Sequence, residues 1–245
     1  MSAALPEGVV SNSRTLDSVT APVTSITPNG PARGGVVVIQ EAFGVTEHIT
    51  DVCRRFASAG YHAVAPHLFH RSGDPVVAYD DLETAMPLMG KLEATAIDED
   101  VDAAIEVLAA ASIAPLDTAI VGFCMGGTVA FHTAVRRELG AAATYYGGGI
   151  SQGRFGYRSM LEVAADLQTP WLGLFGDRDK GIPVTDVEEL RKAAANAAVA
   201  TEIVRYPDAD HGFNCDDRPA VFNPDAAAGA WSHTLEWFGA RLGQS

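Results

Sequence analysis

Gly122-Phe-Cys124-Met-Gly126-Gly127 puts a cysteine between glycines, just after a β-branched apolar run and just before a helical pattern. It matches G-x-S-x-G with sulfur in place of the serine oxygen. The glycines have a steric purpose. A nucleophile on a sharp strand-to-helix turn needs neighbours without a Cβ, because the chain segments approach closely there. The turn also puts the thiol at a helix N-terminus, where unsatisfied N–H groups favour a thiolate and then an oxyanion. With 24 glycines and 3 cysteines in 245 residues, chance supplies only about 0.03 G-x-C-x-G matches. Cys53, beside Arg54 and Arg55 in a helical pattern, reads as packing. Cys215 stays open between packing and the site.

A thiol is mostly protonated at pH 7 and needs a base. His211, in Tyr206-Pro-Asp-Ala-Asp-His-Gly-Phe213, follows the last strand pattern, and Asp179, in Gly176-Asp-Arg-Asp-Lys-Gly181, follows the one before it. Nucleophile, acid, histidine is the chain order of α/β-hydrolase triads. Asp177 competes directly with Asp179, and Asp208 or Asp210 would orient the histidine less well. His67 and His70 read as structural or solvated, since His-x-x-His without a third ligand is weak evidence for a metal. Neither a metal nor a cofactor is expected.

The elements that must hold these groups alternate. Strand patterns cover Gly35–Gln40, His62–Ala65, Thr118–Phe123, Ala141–Tyr146, Pro170–Phe175 and Thr201–Tyr206. Helical patterns cover Thr46–Ser58, Ala94–Ala111, Gly126–Leu139, Val184–Ala197 and Asp225–Leu242. Such alternation predicts one α/β domain over 1–245, with a mainly parallel sheet and helices on both faces. Residues 1–30 form an N-terminal edge segment, in which Val19–Ile26 is expected as an antiparallel strand. Sites in such sheets lie at the carboxyl ends of the strands. Glu41, Arg71, Cys124, Asp179 and His211 follow the first, second, third, fifth and sixth core strands.

Composition narrows the function classes. Apolar residues make up 47% and charged residues 20%, the balance of a globular domain rather than a disordered or disulfide-dense chain. The net charge of −14 argues against nucleic acid and anionic membranes as partners. No apolar run approaches the ~20 residues of a membrane helix. Three cysteines without a C-x-x-C, and a Met1–Gly8 stretch with neither a basic nor an apolar region, predict a cytoplasmic protein with free thiols. A monomer and a homodimer are both compatible with the charge.

Four segments together resemble the dienelactone hydrolase (carboxymethylenebutenolidase) family: Gln40-Glu-Ala-Phe-Gly-Val45, Pro66-His-Leu-Phe-His-Arg71, Gly122-Phe-Cys-Met-Gly-Gly127 and the Asp179…His211-Gly-Phe213 pair. The likeness runs from about Gly34 to Leu242 and implies an α/β-hydrolase fold. It implies a Cys124–His211–Asp179 triad, with Glu41 holding the thiol proton until substrate binds. The Met125 and Ala42 amides would form the oxyanion hole, and Arg71 would bind a substrate carboxylate. The substrate would be a dienelactone or a related small ester. One departure stands out: chlorocatechol-pathway members carry an arginine four residues after the histidine, where this chain has Cys215. Arg218 is the nearby cation that would substitute.

Two rival readings compete. A redox-sensing thiol on a non-catalytic hydrolase-like fold would use the same Cys124, but it would need only access and a low pKa. Gly147-Gly-Gly-Ile-Ser-Gln-Gly153 follows a strand, yet it misses the G-x-G-x-x-G spacing of a dinucleotide site.

Overall fold

The computed structural model describes residues 11–14 and 21–243. Eight strands form one sheet: β1 (Ser11–Arg14), β2 (Val23–Ile26), β3 (Gly35–Ile39), β4 (His62–Pro66), β5 (Thr118–Phe123), β6 (Ala141–Tyr145), β7 (Trp171–Gly176) and β8 (Thr201–Tyr206). Their order is β1-β2-β4-β3-β5-β6-β7-β8. The pairs from β4 through β8 are parallel, whereas β2 runs antiparallel to both β1 and β4. The expected antiparallel strand is therefore present as Val23–Ile26, while residues 19 and 20 lie outside the described part.

Helices cover both faces, so the central strands are apolar on both sides. Val36, Val37, Val38 and Ile39 are completely buried, as are Ile120, Val121 and Phe123. α1 (Glu47–Ser58) and α7 (Pro224–Gly239) meet on one face, where Phe56 stacks on Phe238 at 5.9 Å. α3 (Ala94–Ala110) and α4 (Met125–Arg136) meet on the other, tied by Arg136 to Asp102 at 2.8 Å. The Thr46 hydroxyl caps α1 by accepting from the Ile49 amide, as its position before the helical pattern predicts.

Some boundaries shift. α4 stops at Arg136 and α6 (Val184–Ala194) ends before Ala197. β6 stops at Tyr145 because Tyr146 turns to φ +39°. α2 (Leu82–Met89) has no counterpart in the pattern analysis; it is one short stretch interrupted by Pro87, capped by Asp81. α5 (Met160–Val163) is shorter still. Among the described residues, no helix is long and apolar enough to cross a membrane.

What positions the site is the junction of β3, β5 and α4. A Cβ on Gly122 would lie 1.9 Å from the Gly126 carbonyl oxygen, and one on Gly126 would lie 2.5 Å from the Gln40 and Ile39 oxygens. Both obstacles are backbone and cannot swing aside. Gly122→Ala is therefore expected to cost at least about 3 kcal/mol. Gly90→Ala, where the nearest atom is 3.4 Å away, should change stability by less than about 1 kcal/mol. Urea midpoints of the two variants check the contrast, and equal midpoints would refute the close-approach account.

Candidate active site

Cys124 caps α4 with φ +57° and ψ −118°, a backbone conformation unfavourable for a residue with a side chain. Its amide donates to the Tyr145 carbonyl at 3.1 Å, and its own carbonyl accepts from Gly127 at 3.0 Å. These bonds hold the strained residue between β5 and α4, with the thiol half-buried on the rim. Cys53, by contrast, is fully buried in α1, and burial pushes its thiol up to about 12.

Cys124 is near enough to His211 to raise the pKa of its ring. His211 Nδ1 lies 2.6 Å from Asp179 Oδ2. Asp179 is buried, and its other oxygen accepts from the Gly181 amide at 2.8 Å. The competing carboxylates are occupied elsewhere. Asp177 pairs with Arg205 through two bonds of 2.7 Å, Asp208 pairs with Arg178, and Asp210 accepts from the His211 backbone amide at 2.7 Å. Burial disfavours the His211 imidazolium, but the hydrogen bond to Asp179 and the nearby Cys124 outweigh it, and the pKa rises to about 10.

Glu41 stands two residues past the end of β3 and is completely buried. Gln40 braces the turn, accepting from the Leu68 amide at 3.1 Å and donating to the Glu41 carbonyl at 3.4 Å. Glu41 Oε1 accepts from the Tyr146 hydroxyl at 3.5 Å, and Oε2 has no hydrogen-bond partner among the described residues. Burial first, and the Glu41 carboxylate second, push the Tyr146 and Tyr79 hydroxyls well above their ordinary values. The same two causes raise the Cys215 thiol to about 12. The Tyr79 hydroxyl pairs with the Thr46 hydroxyl at 2.9 Å. Buried Ala42 and Met125 stand immediately after Glu41 and Cys124.

The two expected cations differ. Arg71 Nη1 lies 2.6 Å from Asp100, a carboxylate only 1% exposed on α3, and Nη2 lies 3.5 Å from Glu99. Asp100 also holds His70 at 3.1 Å. Arg218 has no carboxylate partner among the described residues. Its guanidinium sits 5.7 Å from the ring centres of both Phe43 and Tyr79. A Cβ on Gly212, next to the histidine, would be 2.5 Å from Arg218 Nη1. The segment carrying Arg218 is fastened to α1, because Asp216 binds His48 at 2.9 Å and Arg55 at 2.5 Å.

Tyr146 is the site residue that the pattern analysis passed over. Its ring centre is 5.1 Å from that of His211. It follows β6, whose end carries no acid, base or thiol.

The family model described as "Dienelactone hydrolase family" matches residues 22–242. A protein of Escherichia coli (strain K12) named "Putative carboxymethylenebutenolidase" is 39% identical over 209 residues, covering 83% of this chain and 75% of its own. One of the same name from Methylorubrum extorquens is 36% identical over 217 residues, covering 85% and 74%. The crystal structure titled "Putative Dienelactone Hydrolase" from Klebsiella pneumoniae superposes with a TM-score of 0.86 at 34% identity, covering 95% of this chain and 99% of its own.

Asp179→Asn is expected to lower the His211 pKa from about 10 toward its ordinary value, read by NMR titration of the ring. The folded value lies above the ordinary 6.5. The pair therefore stabilises the fold fully below about pH 6.5, and that contribution is lost as pH rises through about 10. An unshifted titration in the variant would show that Asp179 does not act on the histidine.

Proposed function

The chain belongs to the dienelactone hydrolase family, and on that premise we propose that it cleaves a small enol-lactone or ester through Cys124, His211 and Asp179. The supporting observation is the 2.6 Å hydrogen bond from His211 to buried Asp179, with Cys124 acting on the same ring from the N-terminus of α4. The Cys124 thiolate adds to the carbonyl carbon, and the Met125 and Ala42 amides receive the oxyanion. Collapse breaks the carbonyl carbon–oxygen bond, and the leaving oxygen takes the proton from His211. A thioester remains on Cys124. His211 then removes a proton from water, hydroxide adds to the thioester, and the acid leaves as the thiolate is restored. Glu41, with one unpartnered buried oxygen, is the acceptor that holds the thiol proton before substrate arrives. No cofactor takes part in these steps.

For a substrate carboxylate, Arg218 is the better-supported anchor of the two. Arg71 is already paired with the buried Asp100 and with Glu99, whereas Arg218 has no carboxylate partner among the described residues. The engagement of Arg71 also favours a second reading of the substrate, a small neutral ester rather than the anionic dienelactone.

Hydrolysis of a dienelactone and of 4-nitrophenyl acetate, by wild type and Cys124→Ala in parallel, tests the mechanism. The variant should lose about 10⁴-fold or more in kcat, and undiminished turnover would sink the assignment. Ester turnover without dienelactone turnover would select the second reading.

Arg218→Gln should raise the dienelactone KM about tenfold relative to that for 4-nitrophenyl acetate. If Arg71→Gln has that effect and Arg218→Gln has none, the carboxylate goes to Arg71.

A further inference from the structure

The glycine-rich run after β6 lacks the spacing of a dinucleotide motif but borders a cavity. Residues 148–154 form one wall of a cleft of about 650 Å³ that His211 also lines, with Gly181, Ile182 and Pro183 on the other side. Half-buried Arg154 belongs to the first wall. Its guanidinium lies where a Cβ on Gly148 would be 2.6 Å from Nη1, and its stem where a Cβ on Gly149 would be 3.2 Å from Cγ. The two glycines thus make room for the arginine.

Arg154 has no carboxylate partner among the described residues; its guanidinium carbon lies over the Phe155 ring, 5.5 Å from the centroid. Nine other arginines, Arg71 and Arg205 among them, are in ion pairs. The carboxylate lining the cleft, Asp186, is not within ion-pair distance of Arg154. It accepts from the Ser151 hydroxyl at 2.8 Å and sits in the first turn of α6, where the helix amides favour it.

The arginine is held in place. Its carbonyl accepts from the Tyr157 amide at 2.8 Å, and the next carbonyl, of Phe155, accepts from Ala94 at 2.7 Å. Tyr157 stacks on His132 at 4.3 Å with ring planes 5° apart, and donates to Asp98 at 2.6 Å. Phe155 is kept at φ +58°, a conformation that persists only where surrounding contacts over-determine it. A guanidinium stacked on an aromatic face keeps its N–H edge for a carboxylate.

We propose that Arg154 is a specificity-determining residue that binds a carboxylate on the far end of the substrate's acyl chain, making half-esters of dicarboxylic acids a preferred substrate class. The proposal rests on the hydrolase reading above. It concerns a different cavity from that of Arg218, which lines a separate hollow with Tyr79 and Asp80.

The test compares mono-4-nitrophenyl adipate with 4-nitrophenyl hexanoate, equal in chain length and different in charge. Wild type should favour the adipate ester in kcat/KM, and Arg154→Gln should reduce that preference about tenfold, chiefly through KM. Arg154→Lys should recover part of it, which a folding defect would not allow. Salt at 0.5 M should shrink the wild-type preference as well. An adipate-to-hexanoate ratio unmoved in Arg154→Gln overturns the proposal, as does a loss seen in Arg218→Gln alone. If wild type cleaves neither ester, the hydrolase reading fails separately, and calorimetry on Cys124→Ala then decides about Arg154. Monomethyl adipate binding about tenfold weaker once Arg154→Gln is added supports the anchor; an unchanged Kd removes it.

Discussion

Three backbone segments share a space that leaves no room for side chains where β3, β5 and α4 meet. Gly122 sits against the Gly126 carbonyl, and Gly126 against the carbonyls of Ile39 and Gln40. Only under that compression does Cys124 occupy φ +57°. The strain is offset by central strands buried on both faces. Its consequences are all positional. The sulfur is lifted onto the rim, the Met125 amide opens a helix, and the end of β3 is pressed against the turn. The Gln40 carbonyl, one residue before Glu41, is thereby held against Gly126, two residues after Cys124.

Charge around this junction is unevenly distributed. One cation, the His211 imidazolium, is stabilised between Asp179 and Cys124. On the other side, the buried Glu41 carboxylate faces Tyr146, Tyr79 and Cys215, groups that burial already keeps protonated at neutral pH. A carboxylate with one weak donor and one open oxygen is an expensive group to bury. The tyrosines keep their own protons, and Glu41 is left with one oxygen open to a further donor.

Strands and helices were legible in the sequence because burial on both faces leaves β-branched runs with no polar alternation. The runs Val36–Ile39 and Thr118–Phe123 are plain for that reason. The short helix Leu82–Met89 was not, since Pro87 interrupts it and eight residues carry little period. Within the site, the choice of Asp179 over Asp177 depended on Arg205, 28 residues away on a neighbouring strand. Tyr146 escaped notice because an aromatic at a strand end has no chemistry until its hydroxyl is found beside a buried carboxylate. Residue type revealed the reactive groups; their partners were set by the fold.

The arginines carry this furthest. In a chain with 31 acidic and 17 basic residues, carboxylates outnumber cations, so an arginine is ordinarily claimed by one. Arg71 follows a strand end as a substrate anchor should, but Asp100 reaches it from the middle of α3, from a position that no local pattern links to it. An arginine kept apart from every carboxylate in such a chain needs a structural reason. For Arg218 the reason is visible in the fastening of its loop by Asp216 and in the two rings that flank it. Asp216 absorbs the nearby cation Arg55 and leaves Arg218 facing aromatic carbon. Aromatic faces hold a guanidinium without neutralising it, so its positive charge remains available to an anionic ligand. In an acidic protein, whether an arginine is open to an anion therefore depends less on its presence than on whether a carboxylate comes within ion-pair distance of it.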